Sequence, residues 1–350
     1  VKLFNQFQGK VDGFTKGRDR SFHFGVKDLN IVGMISHLGP QMGIADGIGL
    51  AKKLKDEKKA TVVFTGDGGT SEGDFHESLN VAAVWDLPVL FVIENNGYGL
   101  STPNKEQFKG ESLAVRGEGY GVESLSIDGN NIVEVYTTVK EKIESIRKNP
   151  RPILLECFTF RMRGHEEASG TKYVPKDVME YWEKKDPVVN FEKYLVDKKI
   201  YNNTEIVKER DRLKDEINEA VKTSFDNSKF DVNEDTEIED VFYPYTQKVI
   251  HPKEKTMSER RYVDAISDSL DQNMRKYRDL VIMGQDISDY GGVFKVTEGF
   301  VEKFGRDRVR NTPLCESAII GTALGLSIEG IKSIVEMQFA DFVTCGFNQI

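Results

Sequence analysis

Residues 61–69 read TVVFTGDGG, residues 71–88 SEGDFHESLNVAAVWDLP and residues 89–103 VLFVIENNGYGLSTP. One apolar run, Val62–Thr65, closes on an acidic residue between two glycines, Gly66-Asp67-Gly68. The next, Val89–Glu94, closes on the pair Asn95-Asn96. Short continuous apolar runs are the pattern of parallel strands buried on both faces. The segment Asp74–Trp85 has the length of the helix that must cross between them. Open α/β sheets bind ligands at the carboxyl ends of adjacent strands. There, an Asp carboxylate, an Asn amide oxygen and a backbone carbonyl suit a hard six-coordinate cation, and glycine N–H groups suit a phosphate. GDG alone reads as a tight turn, and NNG as another. Their pairing, 29 positions from Asp67 to Asn96 across strand, helix and strand, points to a metal–diphosphate site.

Outward from this unit, the β-α-β alternation continues. Residues 41–54 predict a helix with Ile44, Ile48 and Ala51 on one face. Val122–Ile127 predicts a strand, followed by Asp128-Gly129-Asn130-Asn131 and a helix to Arg147; Pro152–Phe158 predicts a fourth strand. The fold class is therefore α/β, a doubly wound parallel sheet. Residues 1–35 are glycine-rich and irregular, ending in the apolar run Ile31–Ile35. Residues 176–255 are charge-dense. Within them Ile206–Phe225 predicts an amphipathic helix, and FDNSKFDVNEDTEIEDVF and YPYTQKVIHPKEK read as connector. From Ser258 a second α/β domain begins: a helix over Tyr262–Tyr277, a strand over Leu280–Gly284, a turn at Gly291-Gly292, a helix over Val296–Phe304, Arg308–Asn311, a small-residue helix over Ser317–Glu329 and a strand over Ser333–Met337.

The 350 residues are 39% hydrophobic and 30% charged, with net charge −9. That length favours two domains. The acidic balance argues against a nucleic-acid or anionic-membrane partner, which calls for a basic footprint. The longest apolar runs are too short to span a bilayer. Cys157, Cys315 and Cys345 lie far apart with no C-x-x-C spacing, which suits a reducing, cytoplasmic compartment. VKLFNQFQGK at one end lacks signal-peptide character and reads, like GFNQI at the other, as the inside of a helix. Both natural ends are expected to be missing. No G-x-x-x-x-G-K-[ST] exists, and no clean G-x-G-x-x-G follows a strand, so P-loop and NAD readings lose ground.

GDG and NN with 26 residues between them resemble the thiamine diphosphate fingerprint. The surrounding chain, from about Phe4 to Val196, resembles the alpha subunit of the decarboxylating component of 2-oxo acid dehydrogenase complexes. The resemblance rests on RSFHFG, SEGDFHESLN, NNGYGLSTP, RGEGYG, DGNN and TFRMRGH. Residues 258–350 resemble the start of the beta subunit through RYVDAISDSL, GQDISDYGGVFKVT, TPLCES and QFADF, and TPLCE and QFAD lean toward the branched-chain branch. The implied organisation is a fusion: an alpha-like cofactor-binding domain at 1–196, a charged connector at 197–257 and a truncated beta-like pyrimidine-binding domain at 258–350.

By position, the resemblance implies that Asp67 and Asn96 ligate Mg²⁺ by side chain and Tyr98 by its carbonyl. Gly68 and Gly69 offer N–H groups to the diphosphate of thiamine diphosphate. Ser36 and Leu38 lie on its aminopyrimidine side. His165 stands on a loop near the diphosphate and reacting carbon, with Arg161 and Arg163 beside it as candidates for a phosphate or a partner carboxylate. Glu316 bonds the aminopyrimidine ring nitrogen, favouring the tautomer that acts as internal base; the protein tunes a cofactor that does the chemistry. Three positions depart from the pattern. Glu94 stands where branched-chain relatives carry a diphosphate-binding arginine, although pyruvate-type relatives also have Glu. Pro40 replaces a threonine that helps hold potassium in animal relatives. Glu166 replaces the serine phosphorylated in mitochondrial relatives, so that modification is not possible here. The family's N-terminal cofactor arginine and beta-half catalytic histidine fall outside these residues.

The resemblance implies oxidative decarboxylation of a small-molecule 2-oxo acid, branched-chain in preference to pyruvate or acetoin. The acyl group passes to a lipoyl domain of a dihydrolipoyl acyltransferase core, and the fused chains pair as a homodimer. The other readings are a non-catalytic fragment that binds cofactor and a nucleotide-binding α/β module.

Overall fold

The computed structural model describes residues 1–166, 168, 170–226, 233–242, 244–249, 251 and 258–350. In chain order its principal elements are α1 (Lys2–Phe7), α2 (Pro40–Leu54), β1 (Thr61–Gly66), α3 (Gly73–Val84), β2 (Val89–Asn95), β3 (Tyr98–Gly99), β4 (Thr102–Pro103), α4 (Asn104–Gln107), α5 (Val115–Glu118), β5 (Glu123–Asp128), α6 (Ile132–Lys148) and β6 (Ile153–Phe158). Then follow α7 (Lys176–Glu183), α8 (Pro187–Asp197), α9 (Asn203–Asp226), α10 (Glu234–Glu239), α11 (Tyr262–Lys276), β7 (Val281–Gly284), α12 (Phe300–Phe304), β8 (Val309–Asn311), α13 (Glu316–Ile328) and β9 (Ser333–Val335).

The chain divides into two units, one made of Val1–Ser36 with Leu195–Arg260 and one of His37–Tyr194 with Arg261–Ile350. This division cuts across the expected one, because the segment read as a connector groups with the N-terminal residues. The reason lies at Ser224, buried on α9. Its hydroxyl donates to Asn5 Oδ1 at 2.6 Å and accepts from Gln8 Nε2 at 2.8 Å, and its carbonyl accepts from Lys10 Nζ. Of the expected connector loops, residues 227–232, 243, 250 and 252–257 lie outside the described residues. The stripe Val207, Leu213 and Ile217 on α9 is exposed.

In the second unit β1, β2, β6 and β5 form, in that order, an all-parallel sheet. Val63, Phe91 and Leu154 share a core with α2, α3 and α13, while Leu90, Val92 and Leu155 on the opposite face pack with Ile146 and Val139 of α6. Helices on both faces make the sheet doubly wound, as the apolar runs predict. A second parallel sheet, β8-β7-β9, belongs to the same unit and packs Ile282 and Val309 with Met274 of α11 and Phe300 of α12. The two sheets are joined through α2 and α13.

Two predicted elements come out shorter by two residues or more. The helix over Val296–Phe304 forms only from Phe300, since Gly299 adopts φ 74° and Thr297 spends its hydroxyl on the Ile287 carbonyl at 2.6 Å. The strand expected to reach Met337 stops at Val335. Residues 1–35, read as irregular, contain α1.

Candidate functional site

Strand register brings the two fingerprint ends together. Gly66 pairs with Glu94, so Asp67 and the asparagine pair emerge side by side at the carboxyl ends of β1 and β2. Asp67 is 1% exposed, and its Oδ2 has no hydrogen-bond partner. Burial pushes its carboxyl up; the amides of Asn96 and Gly68 and the charge of Arg161 act in the opposite direction. The chain then turns through a short 3₁₀ segment, Gly68–Ser71. A Cβ at Gly68 would stand 3.0 Å from Gly99 Cα, and one at Gly69 would run into the Thr65 hydroxyl, so a side chain at either position would have to displace a neighbour. Cβ atoms at Gly66 and Gly97 would meet nothing within 4 Å, which leaves open space over both turns.

The asparagine loop is held by its own side chains. Asn96 Oδ1 accepts from Tyr98 N at 3.3 Å, and Gly97 takes φ 87°, a left-handed conformation that favours glycine. Asn95 Oδ1 accepts from Gly97 N at 3.2 Å and from Asn104 Nδ2 at 2.7 Å, while Asn95 Nδ2 donates to Glu156 Oε1 at 2.7 Å. Glu156 is fully buried on β6. Burial alone would raise its carboxyl, but the Ser112 hydroxyl, the Asn95 amide, the Leu113 N–H and the Ser126 hydroxyl outweigh it and hold Glu156 below the usual carboxylate range. The Tyr98 ring packs edge-on against Phe160 and Tyr173.

Arg161 ties the loop after β6 to the asparagine loop. Its Nη2 donates to the Leu100 carbonyl at 2.5 Å and to Tyr173 Oη at 3.2 Å, and its Nη1 lies 3.3 Å from His165 Nδ1. Leu100 itself sits at φ 57°. His165 is exposed beside Arg161. Arg161 Nε, like Asp67 Oδ2, is buried without a partner. One orphan calls for a cation or donor, the other for an acceptor. A divalent cation carrying a diphosphate supplies both, so the residues present fit that group. Among the described residues no three His, Cys, Asp or Glu side chains gather as a metal cluster, which a site completed by phosphate oxygens does not require.

A cavity of about 470 Å³ adjoins this loop, lined by Asn96, Tyr98, Asn104, Phe108, Phe160 and Trp182 among others, without Asp67. Leu38, at the foot of α2, is exposed in the same unit. Ser36 belongs to the first unit, where its hydroxyl lies 3.2 Å from His23 Nε2. Glu316 opens α13 and accepts from Gln285 Nε2 at 3.0 Å. The start of α13 rests on α3: Ser317 Oγ donates to Asp74 Oδ1, and Ala318 N to Glu77 Oε2 at 3.0 Å. Burial raises the Glu77 carboxyl, and Asp74 and Glu316 add to the shift. Thus Glu316 and Asp67 share no hydrogen bond, but α3, which begins six residues after Asp67, carries the acids that seat α13.

The sequence reading named the Asp67, Asn96 and Arg161 group but missed Glu156, Asn95 and Asn104, which hold the loop. Glu156 had a signal, a lone charge inside the otherwise apolar strand ILLECF.

Two parallel α/β sheets, with a carboxylate and an amide at neighbouring strand ends of one of them, define an α/β protein of the kind that binds ligands at its strand ends. The dehydrogenase E1 component model matches residues 1–233, and the pyrimidine-binding domain model of transketolase matches residues 258–350. The chain belongs to the dehydrogenase E1 component family. It is 36% identical over 223 residues to 2-oxoisovalerate dehydrogenase subunit alpha 1 of Arabidopsis thaliana, covering 63% of this chain and 47% of that protein. It is 38% identical over 220 residues to the alpha subunit of acetoin:2,6-dichlorophenolindophenol oxidoreductase of Bacillus subtilis, covering 63% and 66%. To the mitochondrial 2-oxoisovalerate dehydrogenase subunit alpha of Caenorhabditis elegans it is 39% identical over 204 residues, covering 57% and 47%. The chain thus spans about half the length of the two 2-oxoisovalerate proteins and about two thirds of the Bacillus one.

Proposed function

We propose that the protein decarboxylates a 2-oxo acid with thiamine diphosphate and Mg²⁺ and passes the acyl group to a lipoyl group on an acyltransferase core. The observation that carries this reading is the complementary orphan pair, Asp67 Oδ2 and Arg161 Nε, in a chain of this family. In it Asp67 and Asn96 hold Mg²⁺ by side chain and Tyr98 by its carbonyl. The N–H groups of Gly68 and Gly69 and the free Nε of Arg161 meet the diphosphate. Thiamine diphosphate, when bound, would supply an acidic thiazolium carbon as the nucleophile for the substrate keto group. Glu316 manages a proton at the aminopyrimidine ring nitrogen, and Ser36 and Leu38 line that side. His165, anchored by Arg161, handles protons near the reacting carbon.

Residues 1–196, 197–257 and 258–350 are read as an alpha-like domain, a connector and a beta-like domain. The matches to two family models on one chain support a fusion. A homodimer would cover Leu314 and Phe347, both strongly exposed. Three free cysteines suit the reducing cytoplasm, and among the described residues no helix is long and apolar enough to cross a membrane. The 2-oxoisovalerate relatives favour a branched-chain substrate; the Bacillus relative keeps acetoin as the second reading. The test is turnover by the full-length protein with Mg²⁺, thiamine diphosphate and an artificial electron acceptor, comparing 3-methyl-2-oxobutanoate, pyruvate and acetoin. Preference for the first supports the branched-chain reading. No turnover of any of them defeats the enzymatic one and leaves a cofactor-binding fragment.

A further inference from the structure

We infer that Glu156 is a positioning residue for the metal loop, acting through Asn95 to fix Asn96, Gly97 and Tyr98 in the conformation that receives a cation. The inference rests on the metal–diphosphate reading of that loop given above.

Glu156 is an anomaly by every local rule. It occupies the middle of a parallel sheet, pairing with Ile93 on one side and Ser126 on the other, where apolar residues belong. It has no exposure to solvent and, among the described residues, no ion pair is seen for it. A buried carboxylate is strongly disfavoured unless it is paired or fully hydrogen-bonded. Here it is. Oε1 accepts from Asn95 Nδ2 at 2.7 Å; Oε2 accepts from Ser112 Oγ at 2.5 Å, Ser126 Oγ at 2.8 Å and Ala114 N at 3.2 Å; Leu113 N reaches both oxygens at 3.1 Å.

This anion settles the orientation of the next group. An ionised carboxylate only accepts, so Asn95 must turn its NH₂ toward Glu156 and its oxygen the other way. That oxygen is the acceptor for Gly97 N and Asn104 Nδ2. Asn104 in turn donates its backbone N–H to the Gly97 carbonyl at 3.1 Å. Gly97 is therefore gripped at both its N–H and its carbonyl, between Asn96 and Tyr98, the proposed ligands. Metal-site partners one layer out commonly change metal affinity by about 10- to 100-fold.

Glu156→Gln tests the chain of orientation. If the new NH₂ takes the Oε1 position, it confronts the Asn95 NH₂. Flipping Asn95 to escape turns its NH₂ onto the Gly97 N–H and the Asn104 NH₂. If it takes the Oε2 position, it confronts the Ala114 N–H. The full-length protein, loaded with Mn²⁺ and thiamine diphosphate and followed by electron paramagnetic resonance of the metal, gives the readout. We expect E156Q to bind Mn²⁺ about 10- to 100-fold more weakly, with kcat at saturating metal within about twofold of wild type. Asn104→Ala, which leaves Glu156 and its donors in place, is expected to weaken Mn²⁺ several-fold with the cofactor-free melting temperature unchanged. A folded E156Q that binds Mn²⁺ as wild type does overturns the inference. If E156Q does not fold, wild-type metal binding by N104A overturns it. Failure of the wild-type protein itself to bind Mn²⁺ with the cofactor is a different outcome, and it defeats the metal–diphosphate reading beneath.

Discussion

Gly47 on α2 and Gly325 on α13 meet backbone to backbone: a Cβ added to either would stand 2.7 Å from the other's Cα. Gly43 and Gly321, one turn earlier on each helix, approach almost as closely, a Cβ on Gly43 lying 3.2 Å from Gly321 Cα. Two small-residue stripes thus let α2, which ends just before β1, cross α13, which begins at Glu316. The contact joins the sheet that carries Asp67 to the one that leads into Glu316.

Gly47→Ala should therefore be costly despite alanine's better helix propensity. The added methyl also overlaps the Thr322 carbonyl oxygen, so one helix must move. Overpacking of this kind costs about 1–3 kcal/mol, against a propensity gain of about 1 kcal/mol. Overlap with a backbone oxygen calls for the upper part of that range, about 2–3 kcal/mol, so urea unfolding is expected to show net destabilisation of about 1–2 kcal/mol. A Gly47→Ala protein as stable as wild type, with unchanged urea slope, would mean the helices are not pressed together.

Asp46 lies one residue away, fully buried, with both carboxyl oxygens unpartnered. Burial pushes its carboxyl well above the usual range. The folded state therefore holds a proton that the unfolded state releases near pH 4. Stability from this group is complete below that unfolded value and is lost as pH rises toward the folded one, beyond which the loss levels off. Asp46→Asn cannot titrate. Its stability relative to wild type should increase with pH from about 4 upward, at up to about 1.4 kcal/mol per pH unit. Denaturant midpoints of the two proteins at pH 4, 6 and 8 check this; a constant gap between them would rule out the buried proton.

Asp67 poses the opposite trade. Its orphan oxygen and upward-shifted carboxyl are a cost to the cofactor-free protein. Asp67→Asn should raise cofactor-free stability by about 0.5–2 kcal/mol, as relieving a strained functional site commonly does. It should also abolish Mg²⁺-dependent binding of thiamine diphosphate in calorimetric titration. Chelation of the metal should release the cofactor from wild type and change nothing in Asp67→Asn. Tight binding by the variant would remove Asp67 from the site.

The strands β1, β2, β5 and β6 were legible within a residue or two: β2 and β6, buried on both faces, write themselves as continuous apolar runs, while the edge strands β1 and β5 carry exposed positions. So was the fingerprint, since Asp67 and the asparagine pair each follow the end of an apolar run at a fixed spacing. The grouping of residues 195–260 with 1–36 was not legible. It depends on polar contacts at Ser224 with Asn5, Gln8 and Lys10, and hydrophobic periodicity is blind to those. Glu156 and Asn95 were missed for a related reason: a buried carboxylate is functional or structural according to which donors surround it, and the donors Ser112, Leu113 and Ala114 come from a loop about 40 positions away. Asn95 stands beside Asn96 in the sequence, but spacing alone does not show that its side chain turns to Glu156.

Glu316 offers the sharpest separation of binding from chemistry. It is held by Gln285 at the first turn of α13, and Glu77 and Asp74 of α3 crowd the same turn with negative charge. Glu316→Gln retains the hydrogen-bonding shape but cannot donate and accept a proton in turn. The metal and diphosphate contacts proposed for Asp67, Asn96 and Arg161 do not involve it. Cofactor affinity should stay within about threefold, while decarboxylation at saturating cofactor falls by about 10²- to 10⁴-fold, the usual worth of a positioned proton-transfer group. Calorimetry gives the first number and single-turnover decarboxylation the second. Should both fall together, Glu316 binds the cofactor without activating it. Should neither fall, the proton at the ring nitrogen is managed from elsewhere, and Gln285 and Glu77 become the residues to vary.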